Sequence, residues 1–134
     1  MTVPIGVIDH VAFTVSDTER ACAFYYAVLG GEMVSDYAPE GRSLTRGVVC
    51  GGTKISVHQA GNGVDLVARR PTVGAVDVCF RWNGPIESAI AHLESHGVET
   101  IDGPSPRISN DGRPASSVYF RDLDGNLLEF MSVA

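Results

Sequence analysis

Apolar and polar positions along the chain run through the same pattern twice. Ile8 to Val15 mixes β-branched and aromatic residues in near alternation, which predicts a strand. Ser16 with Glu19 three residues later has the spacing of a capping box. Ala21, Phe24, Tyr25, Val28 and Leu29 then recur at helical intervals until Gly30 and Gly31 stop the run. Three short strands are predicted next, over Glu32 to Tyr37, Ser43 to Cys50 and Lys54 to Gln59, with turn chemistry at Pro39 to Gly41 and Gly51-Gly52. Residues 60 to 73 carry Gly, Arg and Pro without a period and read as a connector.

The second round opens with a strand over Ala75 to Trp82. Pro85 suits the first helical position, Ile86, Ala89, Ile90 and Leu93 form an apolar stripe, and Gly97 supplies the stop. A short strand over Val98 to Ile101 is expected, then a polar loop from Asp102 to Pro114. Strands over Ala115 to Arg121 and Asn126 to Val133 follow, turning through Asp124-Gly125. A shift of 67 residues, half of the 134-residue chain, lays His10 on Asp77, Phe13 on Phe80, Gly30 on Gly97 and Glu32 on Glu99. Towards the end of each round the shift grows to 73, laying Gly52 on Gly125, Ile55 on Leu128 and Ser56 on Glu129. Agreement of strand, helix and stop at one offset indicates duplication. The expected fold is α+β, a single domain over 1–134 made of two βαβββ repeats, about 5–60 and 74–133, packed edge to edge into one curved mixed sheet.

Composition narrows the partners. Sixteen acids against ten Lys and Arg leave a net charge of −6, which argues against a nucleic-acid or anionic-membrane surface. No apolar run approaches a membrane span. The three cysteines, Cys22, Cys50 and Cys79, form no CxxC pair. Cys22 and Cys79 sit in apolar runs, as small hydrophobes do. With no basic or long apolar leader at the N-terminus, a reducing cytoplasm is the expected setting.

The repeat also selects the candidate chemistry. A curved sheet has a concave face, and the register-matched positions that can point into it are His10, Ser56, Asp77 and Glu129. One imidazole and two carboxylates suit a divalent ion such as Zn, Ni, Mn, Fe(II) or Co, with coordination positions left open. His58 lies two residues beyond Ser56 on the same strand face, so it can complete the ligand set or serve as a base beside the metal. Each candidate has a plainer reading. His10 can be a hydrogen-bonded structural residue, and Glu129 and Asp77 can turn to solvent. A carboxylate in the Leu127-Leu128-Glu129-Phe130 run is costly only if it enters the core. His92 and His96, four apart on the second helix, lack the Glu of a zincin and read as a solvated face. Arg107, Arg113 and Arg121 can anchor an anion, or simply lie on the surface. No nucleophile elbow and no phosphate loop are present.

Three motifs carry a family resemblance: Ile8-Asp9-His10-Val11-Ala12-Phe13, the helix end Ala23-Phe24-Tyr25-Tyr26-Ala27-Val28-Leu29-Gly30, and Arg121-Asp122-Leu123-Asp124-Gly125-Asn126-Leu127-Leu128-Glu129. In this order and at these distances they resemble the glyoxalase/bleomycin-resistance/dioxygenase (vicinal oxygen chelate) superfamily over nearly the whole chain. The resemblance implies paired βαβββ modules, commonly a homodimer, with sites in the sheet concavity. It implies His10 and Glu129 as metal ligands; on the residues' own chemistry, His58 or Asp77 is expected to complete the set and His58 or Glu129 to move a proton. Ser56 stands where glyoxalase I has Glu, and Asp77 where a His is usual, which disfavours glyoxalase I and extradiol dioxygenase activity. The expectation is a metal-dependent lyase, isomerase or thiol transferase acting on a small oxygen-rich molecule. The alternative is a metal-free drug- or metabolite-binding protein of the bleomycin-resistance type.

Overall fold

The computed structural model describes residues 2–134. The first module comprises β1 (His10–Val15), α1 (Thr18–Val28), β2 (Glu32–Tyr37), β3 (Thr45–Cys50) and β4 (Thr53–Gln59). The second comprises β5 (Asp77–Arg81), α2 (Ile86–Ser95), β6 (Asp102–Ile108), β7 (Pro114–Arg121) and β8 (Leu127–Val133). Strand orders are β1-β4-β3-β2 and β5-β8-β7-β6, the same topology twice. In each sheet the first pair is parallel and the other two antiparallel. The offset seen in the sequence is therefore structural. His10 and Asp77 each open the first strand of their module. Gly30 and Gly97 each follow the helix with φ of 64° and 68°, a conformation that glycine enters without a Cβ penalty.

The α+β fold of paired βαβββ modules is as the resemblance implied, but the strands form two four-stranded sheets rather than one continuous sheet. The modules join through their helix-covered faces. Phe13, Val15, Val48, Ile55 and Val57 pack under Ala21, Cys22 and Tyr25 of α1. Val118, Phe120, Leu128 and Phe130 pack under Ile86, Ala89 and Leu93 of α2. Phe24, Leu29, Val78 and Phe80 touch both clusters, so the two cores meet behind the sheets.

The β7–β8 turn latches the halves together. Buried Asp122 accepts from Tyr25 Oη at 2.6 Å, from Asn126 Nδ2 at 2.8 Å and from the amides of Asp124 and Asn126 at 3.0 Å. Asn126 Oδ1 accepts from the amide of Val76, and Asp124 accepts from Ser16. The last of the three family-like motifs is thus largely a structural clasp.

Three local expectations are corrected. Asp17, not Ser16, caps α1, accepting from the Arg20 amide at 3.0 Å while Ser16 is held by Asp124. Pro85 is the cap residue of α2 rather than its first helical residue, with an extended ψ of 147°. The strand expected over Val98 to Ile101 instead lies at Asp102–Ile108, inside the segment read as a loop. It is an edge strand bonded only to β7 and exposed at nearly every position, so it shows no apolar alternation, and an edge tolerates Pro104 and Pro106.

Candidate functional site

Strict alternation decides which side chains leave the core. In β1, Phe13 and Val15 are buried under α1, which turns His10, Ala12 and Thr14 to the opposite face. In β4, buried Ile55 and Val57 likewise turn Lys54, Ser56 and His58 outward. The parallel register sets His10 beside Lys54, Ala12 beside Ser56 and Thr14 beside His58. His10 and His58 therefore stand at the two ends of one row, with small residues between. Gly47 borders this row on β3. A Cβ there would lie 2.9 Å from Lys54 Cε and would strike Ser35, so glycine lets those side chains close over the strand.

The half-exposed His10 ring meets Asp9 Oδ2 through Nδ1 at 2.8 Å. This leaves Nε2 free, the arrangement in which a carboxylate orients a metal-binding imidazole. Asp9 is held below the usual carboxylate range by the hydrogen bond and charge of His10. Burial, and then the nearby His10, push His58 below the ordinary imidazole value, favouring its neutral, lone-pair-bearing form.

Part of the connector folds over this face. Leu66, Val67, Ala68, Arg70, Pro71 and Thr72 border, without closing, an open cavity of about 450 Å³ that His10, Ser56 and His58 also line. The sequence shows these residues only as a connector. The sole hint was a pair of arginines, Arg69 and Arg70, ahead of Pro71 in an otherwise weakly charged tract.

The second module presents the equivalent face. Buried Leu128 and Phe130 turn half-buried Glu129 away from the core, so the costly alternative does not arise. Cys79 is Glu129's partner on β5, and Tyr119 its partner on β7. Asp77 lies one step along the same face, opposite Leu127. Cys79 is exposed here rather than acting as a core hydrophobe, while Cys22 and Cys50 are buried. Although part of Cys79 reaches solvent, the desolvation of its other half, and then the Glu129 carboxylate, push the thiol up to about 12. Arg107 Nε donates to Tyr119 Oη at 2.8 Å, with its guanidinium 5.3 Å from the ring centre. Of the three arginines singled out in the sequence, this one stands near Glu129. Arg113 and Arg121 donate to the backbone carbonyls of Ala134 and Gly125. His92 bonds the Val28 carbonyl at 2.7 Å and docks α2 against the end of α1, a structural role.

The candidate donors thus divide between two faces: His10 and His58 on one sheet, Asp77 and Glu129 on the other. Among the described residues, no three His, Cys, Asp or Glu side chains of the single chain converge. Their chemistry suits a divalent ion, and the free Nε2 of an oriented His10 is the specific feature that fits one.

A family model for the glyoxalase/bleomycin resistance protein/dioxygenase superfamily matches residues 7–130. A virulence protein of Salmonella typhimurium, STM3117, is 34% identical over 125 residues, covering 93% of this chain and 83% of that protein. The ethylmalonyl-CoA/methylmalonyl-CoA epimerase of Cereibacter sphaeroides is 28% identical, covering 96% of this chain and 99% of that protein. The structure of integron cassette protein VCH_CASS1 from V. cholerae superposes with a TM-score of 0.88 at 34% identity over the whole of both chains. A variant of the fosfomycin resistance protein FosX from Listeria monocytogenes, solved with Mn(II) and 1S,2S-dihydroxypropylphosphonic acid, shares the fold. Its TM-score is 0.67 at 20% identity, over 97% of this chain and 94% of that one.

Proposed function

We propose, from the premise that this chain belongs to the glyoxalase/bleomycin resistance protein/dioxygenase superfamily, that it is a divalent-metal-dependent enzyme of isomerase or lyase type acting on a small oxygen-rich molecule. The observation that carries this reading is the oriented imidazole of His10, which lines the open cavity and whose Nε2 is free. His10 and Glu129, with His58 or Asp77, would hold a Zn, Ni, Mn, Fe or Co ion. When bound, such an ion acts as a Lewis acid that stabilises negative charge developing on a substrate oxygen.

The chain's own residues do the rest. His58, favoured in its neutral form, is placed to accept a proton from substrate in the cavity, and Glu129 is the second candidate for that transfer. Thr14 and Ser56, both in the cavity wall, offer hydroxyls to orient substrate oxygens. The epimerase name of one relative favours proton transfer over the lyase and thiol-transfer alternatives.

Because the donors lie on two faces, the reading includes a homodimer in which the second-module face of one copy completes the first-module face of the other. Two observations support a second copy as the occupant. β1 and β5 are open edges of their sheets. The segment before His10 leaves Val7 96% and Ile8 75% exposed beside the candidate site. Three free cysteines support a reducing, cytoplasmic setting.

Metal analysis of protein purified without chelators or a metal-binding tag, combined with light scattering, tests the reading. Stoichiometric divalent metal in a dimer, lost in His10→Ala and Glu129→Gln, is the expected result. A chain that carries no divalent metal and takes none up on titration sinks it and leaves the metal-free binding protein in its place.

A further inference from the structure

We propose that the open cavity over the first sheet binds a small organic anion, a carboxylate or phosphonate, with Arg70 gripping its charged end. This deepens the enzyme reading by naming a substrate class, and rests on it only in placing the ligand beside His10 and His58.

The charge of the cavity is opposite to that of the molecule. The chain carries sixteen Asp and Glu against ten Lys and Arg, yet among the described residues no carboxylate of the same chain lines this cavity, and in the proposed dimer the carboxylates arriving from the second copy would be those engaged by the metal. The ionisable groups that line it are His10, His58 and Arg70, and the remaining wall is small, neutral or apolar. Asp9, the nearest acid in sequence, is itself almost fully exposed and does not line the space. Lys54, beside His10 in the strand register, adds a second fixed cation at the same end of the face.

Arg70 is also uncommitted. Arg46 and Arg81 both sit within ion-pair distance of acids, whereas Arg70 has no such partner among the described residues. An unpaired guanidinium in a pocket without carboxylates of its own chain offers a planar fork whose paired N–H groups match a carboxylate or phosphonate. The cavity, at about 450 Å³, is within the range of small-molecule sites. Arg70 and the His10–Ser56–His58 row line the same cavity, so an anion held by Arg70 would lie beside that row. Arg70 is in this view a specificity-determining residue, selecting charged over neutral substrates.

The test titrates malonate, and malonamide as its neutral counterpart, into metal-free wild-type protein and into Arg70→Ala and Arg70→Lys. Calorimetry gives affinity, and NMR of the His10 and His58 rings gives location. Malonate should bind saturably and shift both rings, with malonamide silent at the same concentrations. Arg70→Ala should weaken malonate at least about tenfold, the loss of one charge-assisted contact, and Arg70→Lys should recover part of it. Absence of malonate binding, equal affinity in Arg70→Ala, or equal binding of malonamide would overturn the proposal. Arg70 is exposed, so circular dichroism should show an unchanged fold in both variants. Mn(II) titration of the wild type by electron paramagnetic resonance reads the metal separately. A chain that refuses Mn(II) but binds malonate through Arg70 loses the metal reading and keeps the anion site, and the opposite pair of results does the reverse.

Discussion

Glu129 shows how much depends on a single step of alternation. It lies between Leu128 and Phe130, both buried, and the same carboxylate one residue earlier or later would enter the core at a cost of several kcal/mol. The strand pattern turns it instead toward Cys79, whose thiol is pushed up to about 12 by partial desolvation and by that carboxylate. At pH 8 Cys79 is therefore a thiol, and its alkylation by iodoacetamide should be slower than that of free cysteine, on the order of a hundredfold. Glu129→Gln removes the carboxylate's negative charge, lowers the thiol pKa and should accelerate the reaction. Mass spectrometry of metal-free protein reads both rates, with Cys22 and Cys50 protected by burial. A wild-type rate equal to that of free cysteine, or one unmoved by Glu129→Gln, would contradict the pairing. Strand alternation is what makes the facing of Glu129, between buried Leu128 and Phe130, and of His58, next to buried Val57, legible in the sequence. Cys79, in a strand of similar texture, reads as a small hydrophobe yet is exposed, because small size and apolar neighbours do not reveal which way a cysteine points.

Among elements, legibility followed one-sided burial. β1, β4 and β8 each bury one face, so apolar and polar residues alternate and the strands show in the sequence. β6 buries neither face and carries two prolines on an edge, and its existence depends on hydrogen bonds to β7 that the sequence does not display. The β7–β8 turn was legible as a turn through Asp124-Gly125, but its clasp on α1 was not. Tyr25 and Asp122 are 97 residues apart and meet only in the folded chain. Tyr25→Phe removes a buried hydroxyl–carboxylate bond and should lower the free energy of unfolding by about 1.5–3 kcal/mol. Urea denaturation would measure this, and a change below about 0.5 kcal/mol would mean that the clasp is dispensable.

For the whole molecule, the repeat revealed the architecture because duplication leaves its mark at a fixed offset, from His10 over Asp77 to Gly30 over Gly97. The same comparison selected four positions on equivalent faces but not their spatial relation. That relation depends on two cores meeting behind the sheets through Phe24, Leu29, Val78 and Phe80. Nor is the connector's place beside the cavity foreseeable, since it has no period to read. It supplies walls to the cavity while burying little: Leu66 is 95% exposed and Arg70 lies at the surface. The proposed Arg70 contact therefore sits in a segment that the fold hardly needs, while the residues of β1 and β4 that share the cavity belong to strands the core depends on. A saturation mutagenesis library over residues 64–72 should be nearly flat when scored for folded protein and steep when scored for malonate capture. A selectivity set by Arg70 could then be changed by rewriting the connector between the two modules, with both sheets and both cores left as they are.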